Sequence, residues 1–164
     1  MATSEKYYSY LSFTLGNETY ASHVKNVINI LEMTHVTKVP KAPKYMLGVI
    51  NLRGAVLPVI DTRMKMDVEQ TEISKDTCII VLEISIDDEK IYIGSIVDSV
   101  KEVLEIEPAE ILPPPNIGSK YRSQFITGMY KINDEFIMIL DMNKIFSIDA
   151  LVSLKDNFET QEKV

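Results

Sequence analysis

The stretch GVINLRGAVLPVIDT, Gly48 to Thr62, returns in altered form as GMYKINDEFIMILDM, Gly128 to Met142. Gly48 answers Gly128, Leu52 answers Ile132, Val56 answers Phe136, Val59 answers Ile139 and Asp61 answers Asp141. Upstream, VKNVINI at Val24 to Ile30 matches VKEVLEI at Val100 to Ile106, so two blocks recur in the same order at spacings of 76 to 80 residues. A recurring order at a near-fixed period means that one structural unit is used twice.

The unit is built of strands. Leu11, Phe13 and Leu15 alternate with Ser12 and Thr14, the period of a half-buried strand, and Gly16-Asn17 turns the chain into Thr19 to Ala21. Tyr45 to Leu52, the turn Arg53-Gly54 and Ala55 to Ile60 form a second hairpin, with Pro58 expected at an edge or a bulge. Thr77 to Ile86 and Ile91 to Val97, joined at Asp87-Asp88, form a third, and Gly128 to Leu140, turning at Asn133-Asp134, the last. Between the first two hairpins, Val24, Val27, Ile28 and Leu31 recur at helical spacing after Ser22, a candidate N-cap; one turn running into a strand fits these residues equally well. Pro40 and Pro43 bracket a loop, Asp67 to Asp76 is a polar linker, and Pro113, Pro114 and Pro115 read as a stiff connector rather than a ligand for a proline-binding module. Asp61 and Asp141 each follow a strand and are expected to cap a helical turn; Ile145, Ile148 and Val152 suit a C-terminal amphipathic helix after Asp141. Short strands punctuated by turns give an all-β fold, and the duplication makes it two small barrels stabilised by a shared apolar face.

The chain has 164 residues and one cysteine, Cys78, in the apolar run CIIVLEI, so no internal disulfide forms and the thiol is expected to be buried. The opening MATSEKYYSY lacks a signal-peptide core, and no segment reaches the roughly 20 apolar residues of a membrane span, which points to the cytoplasm. A net charge of -7 excludes a nucleic-acid binder that works by Lys and Arg neutralising phosphates.

Reaction chemistry has little to build on. His23 and His35 stand apart from any nucleophile arrangement and read as solvated or locally bonded, and the HExxH, CxxC, P-loop and GxGxxG patterns are absent. Asp61 with Asp98 or Asp141 could be cast as a carboxylate pair for glycoside cleavage, but capping explains Asp61 and Asp141 without chemistry. Divergence between the copies is more informative, because structural demands fall on both alike. Arg53 becomes Asn133 and Gly54 becomes Asp134. Arg53 is either a partner-binding guanidinium or a solvated turn residue. Val24, Val27, Ile30 and Val100, Val103, Ile106 are either core or the lining of an inter-barrel groove for a partner helix.

The residues FTLGNETYA at 13 to 21, VPKAP at 39 to 43, GVINLRGAVLPVIDTR at 48 to 63, GSIVDSVKEVLEI at 94 to 106, the three prolines and the late hairpin at 128 to 146 together resemble the CheW family of bacterial chemotaxis coupling proteins. The resemblance spans Tyr10 to Leu154. It implies two five-stranded, SH3-like barrels in one domain over 7 to 154, with halves at about 7 to 70 and 75 to 146 whose strands can exchange at the boundaries, and flexible tails at 1 to 6 and 155 to 164. It also implies an adaptor without enzymatic activity, catalytic residues, metal or cofactor, joining chemoreceptor cytoplasmic tips to the regulatory domain of the histidine kinase CheA, with self-association in arrays. Carried over by position, Asn51, Leu52, Arg53 and Gly54 form the partner-binding hairpin, and Val24, Val27, Ile30 and Val100 lie near the groove that takes the receptor's helical hairpin. Asn29 departs from the family, which often has Glu there, so a Glu to Arg53 pairing is missing. A length of 164 residues leaves no room for kinase domains or for a fused receiver of about 120 residues. Two rival readings remain: a small-molecule site between the barrels, and a hydrolase using Asp61, Asp98 or Asp141.

Overall fold

A computed structural model describes residues 8–66, 68–69, 72–114 and 125–146. Its first strands are β1 (Tyr8–Leu15), β2 (Glu18–His23), β3 (Val27–Glu32), β4 (Met46–Leu52) and β5 (Ala55–Asp61), followed by the helical turn α1 (Thr62–Lys65). The pattern then repeats as β6 (Cys78–Ile86), β7 (Glu89–Val97), β8 (Ser99–Ile106), β9 (Ile126–Ile132), β10 (Glu135–Leu140) and α2 (Met142–Ile145). Each copy is thus a hairpin, a single strand, a second hairpin and a helical turn.

The copies do not fold side by side. One five-stranded sheet runs β8-β1-β2-β10-β9 and the other β3-β6-β7-β5-β4. Replacing every strand of the first order by its repeat counterpart yields the second, so the opening hairpin of each copy completes the barrel of the other. The stretches 7 to 70 and 75 to 146 are therefore each divided between the barrels, an exchange that reaches well past their boundaries.

The apolar pattern explains this arrangement. Alternate residues of β6 serve two cores: Ile79 and Val81 fill the interior of the second barrel with Leu57, Val59 and Ile96, while Ile80, Leu82 and Ile84 face the seam. There they meet Leu11, Phe13 and Leu15 from β1 and Phe146 beyond α2. Tyr10, Ala21, Ile106, Ile137 and Ile139 fill the first barrel. A strand buried on both faces needs a continuous apolar run, which is what CIIVLEI supplies. Cys78 itself is half-buried rather than buried: it starts the strand, its Sγ donates to Asp76 O at 3.3 Å, and burial pushes its thiol pKa up.

Loop approach fixes the repeated glycines. In each copy the segment before the second hairpin makes one bridge to its first strand, Thr37 to Val49 and Leu112 to Met129. A Cβ on Gly48, which has φ +149, would lie 2.1 Å from Thr37 O, and one on Gly128 would lie 2.4 Å from an Ile111 methyl. Only glycine fits where backbone or side chain comes that near.

Of the two readings left open for Val24 to Leu31, the turn running into a strand is the one observed: a single 3-10 turn, Val24–Asn26, enters β3, and only its cap differs from expectation, His23 rather than Ser22. The His23 Nδ1 accepts from Lys25 N at 3.0 Å, whereas Ser22 is still buried in β2. Pro58 lies in a strand flanked on both sides, but β7 joins β5 only from Val59 onward, so the second side is open at the proline itself. The helix capped by Asp141 is the one turn Met142–Ile145; Ile148, Val152, Pro115 and both expected tails lie outside the described residues.

Candidate functional site

The β4–β5 hairpin ends in a turn with Arg53 at φ 52 and Gly54 at φ 87. Two consecutive left-handed residues match the twist of an antiparallel pair and make the tightest hairpin connection. Asparagine and aspartate tolerate that conformation; arginine rarely adopts it. Two of the other hairpin turns obey the preference, with Asp87-Asp88 and Asn133-Asp134 at similar angles. Here the Asn51 Oδ1 accepts from Gly54 N at 2.8 Å, which locks the turn. Asn51, Arg53 and Gly54 are exposed, and Leu52 is half-buried against the interior of the second barrel. Beside them Val56 is 69% exposed, and its counterpart Phe136 on the other hairpin 46%. Sequence reasoning treated these two only as matched strand positions. Their signal was phase: Val56 alternates with Leu57 and Val59, which fill the barrel, so it faces outward.

Val24, Val27 and Val100 are half-buried and pack against the same shared core. Ile30 is not with them; it is 41% exposed at the rim, although its repeat counterpart Ile106 is fully buried. A bulge decides which face β3 presents. Val27 pairs with Leu82 and Ile30 with Ile80, with one irregularity between Val27 and Asn29. Residues directly opposite share a face, so the extra residue turns a spacing of three into one side of the sheet. Val27 and Ile30 thus point to the seam side, where Leu82 and Ile80 lie, while Ile28 is exposed. Asn29 turns its Oδ1 back to accept from Ile30 N at 2.8 Å.

Beneath the seam lies a group of charges that the sequence reading did not assemble. Arg63, at 3% exposure, donates from Nε and Nη2 to the two oxygens of Asp61, each at 3.0 Å, and from Nη1 to Asp98 Oδ1 at 2.8 Å. The other Asp98 oxygen accepts from Gly16 N at 2.6 Å in the β1–β2 turn. Asp61 also caps α1 by accepting from Arg63 N, and the side-chain hydrogen bond that Arg63 donates to Asp61 is the chief reason that the guanidinium pKa is raised. Asp141 caps α2 by accepting from Lys144 N at 3.1 Å. Capping therefore accounts for Asp61 and Asp141, and a guanidinium engages both Asp61 and Asp98, the groups that the hydrolase reading needed.

The CheW-like domain pattern matches residues 9–150. The chain belongs to the CheW-like family. It is 30% identical to the chemotaxis protein CheW of Klebsiella aerogenes over 148 residues, covering 90% of this chain and 86% of that one. It is 32% identical to CheW of Helicobacter pylori over 146 residues, covering 89% and 86%. Among solved structures it superposes on the scaffolding protein TtCheW from Thermoanaerobacter tengcongensis with a TM-score of 0.77 and 31% identity, covering 88% of this chain and 90% of that one. The two SH3-like barrels are therefore those of the CheW-like family.

One hollow of this CheW-like chain lies on the first barrel rather than at the seam. A cleft of about 420 Å³ opens on the first barrel, between the β1–β2 turn at Asn17 and Glu18, β8 at Lys101 and Glu102, and the last hairpin at Asn133 to Phe136. Its lining comes from the first barrel alone, so it is not the inter-barrel pocket that the small-molecule reading calls for. Among the described residues no three His, Cys, Asp or Glu side chains come together to hold a metal, and no helix is long and apolar enough to cross a membrane.

Proposed function

We propose that the chain is a noncatalytic cytoplasmic adaptor that couples the cytoplasmic tips of chemoreceptors to the regulatory domain of the histidine kinase CheA. The observation that carries this reading is the backbone match to a scaffolding protein over 88% of the chain. The turn Asn51 to Gly54 is one docking surface, with Arg53 as its charged contact; a guanidinium pairs with a carboxylate through two parallel bonds. The seam carrying Val24, Val27 and Val100, with Ile30 at its rim, is the other, suited to the apolar face of a receptor helix. Coupling follows if each partner's contacts differ between two states of the assembly, since a ligand shifts an equilibrium only by its differential affinity. Contacts of modest strength suffice in an array, where self-association and repeated attachment raise the effective concentration.

Arg53→Glu reverses the charge on an exposed turn and is expected to weaken co-sedimentation of receptor, kinase and adaptor while leaving the melting curve near wild type. Undiminished assembly removes Arg53 from the docking surface.

A further inference from the structure

The Arg63 group crosses from one barrel to the other. Arg63 sits in α1, at the end of β5 in the second barrel; Asp98 lies where the chain passes from β7 of the second barrel to β8 of the first; Gly16 is in the β1–β2 turn of the first. The links are Nη1 to Asp98 Oδ1 at 2.8 Å, Asp98 Oδ2 to Gly16 N at 2.6 Å, and Asp98 N to Thr14 O at 2.9 Å. Asp61 takes the Nε and Nη2 edge of the guanidinium in a two-point grip, which fixes the plane of the group and the place of Nη1 in it.

The second copy supplies a comparison within the same molecule. SHVK at Ser22 to Lys25 aligns with DSVK at Asp98 to Lys101, and Asp141-Met-Asn143 aligns with Asp61-Thr-Arg63. Ser22 and Asn143 therefore stand where Asp98 and Arg63 stand. That crossing is neutral: the Asn143 Oδ1 accepts from Ser85 N at 3.0 Å. The same fold thus closes the seam once with charge and once without, so barrel formation does not itself require the charge. A buried ion pair adds little net stability over neutral packing, because the loss of hydration offsets the attraction; its geometric demand is strict.

We infer that Arg63 is a positioning residue: by holding Asp98 against the β1–β2 turn it sets the angle between the barrels and so the opening of the seam at Val24, Val27 and Val100. The orientation stands on the geometry alone, and only its consequence for a receptor tip rests on the function proposed above.

The test uses the full chain as wild type, Arg63→Met, the milder Asp98→Asn, and Asn143→Ala for the neutral crossing. Residual dipolar couplings report the relative orientation of the barrels, amide exchange reports Gly16 and the barrel interiors, and titration with a receptor-tip helical hairpin reports the seam. In Asp98→Asn, the couplings within each barrel are expected to fit the wild-type backbone while the two barrels no longer share its relative orientation. Gly16 exchange is expected to rise, and hairpin affinity to fall about tenfold, with smaller changes in Asn143→Ala. Wild-type orientation in folded Arg63→Met and Asp98→Asn overturns the inference. So does loss of protection across both barrel interiors at once, which would make the group a general stability element. A changed angle together with a wild type that does not bind the hairpin upholds the positioning role and rejects the receptor reading.

Discussion

Arg53 is strained where its counterpart is not. At φ 52 it holds a backbone conformation that Asn133 adopts at φ 48 with the residue type suited to it. A bulky residue kept in an unfavourable conformation on an exposed turn is better explained by what its side chain meets than by folding. Arg53→Asn is therefore expected to raise stability by about 0.5 to 1 kcal/mol in urea denaturation, while weakening assembly with receptor and kinase. A variant that is both less stable and fully assembling contradicts the docking role. Gly48→Ala should act in the opposite sense, since its Cβ would meet Thr37 O at 2.1 Å: a loss of about 2 kcal/mol or more is expected from the same measurement. Arg53 was legible because a difference between copies exposed it. Arg63 was overlooked, although Arg63 against Asn143 and Asp98 against Ser22 are differences of the same kind. Sequence places Asp61 two residues from Arg63 but gives no distance to Asp98, 35 positions away, and only the folded chain joins them.

The segment Val24 to Leu31 shows why local pattern gave two answers. Apolar residues three apart mark one face of a helix, but the bulge in β3 inserts a residue and brings Val27 and Ile30 to one side of a strand. The hairpins were readable from their turn residues; this bulge has no equally sharp signature. The 3-10 turn before it depends on a titratable cap. His23 accepts from Lys25 N through Nδ1 and packs against the Tyr8 and Tyr10 rings, with centroids 5.6 and 5.2 Å away. Burial, and next the charge of Lys25, lower the imidazole pKa below its ordinary value of 6.5. The unfolded chain therefore takes up this proton before the folded chain does, and the stability that His23 contributes above pH 6.5 is lost as the pH falls through the folded value. His23→Asn keeps an acceptor at the cap without titrating in this range. Its melting temperature should lose less than wild type between about pH 7 and pH 5.5; equal losses would remove the cap from the acid response.

Strand exchange makes the two barrels a single object. Each barrel combines the opening hairpin of one copy with three strands of the other, and β6 faces both its own barrel and the seam, so neither copy retains a complete sheet on its own. Repetition in the sequence announced the duplication but not the exchange, because tandem and exchanged barrels require the same strands with the same faces; what distinguishes them is pairing between residues far apart, such as Tyr8 with Ile106. The exposed stretch Glu72 to Asp76, between the copies, is the natural place to test this. A chain cut once there should elute from gel filtration at its intact size under native conditions, since separating the pieces means breaking the β1–β8, β2–β10, β3–β6 and β5–β7 pairings and opening the shared core. In denaturant the cut protein should lose secondary structure and fragment association in one transition, at a midpoint that rises with concentration because two pieces now separate. Pieces that part without denaturant, each still folded, would mean that the copies and not the exchanged barrels are the cooperative units.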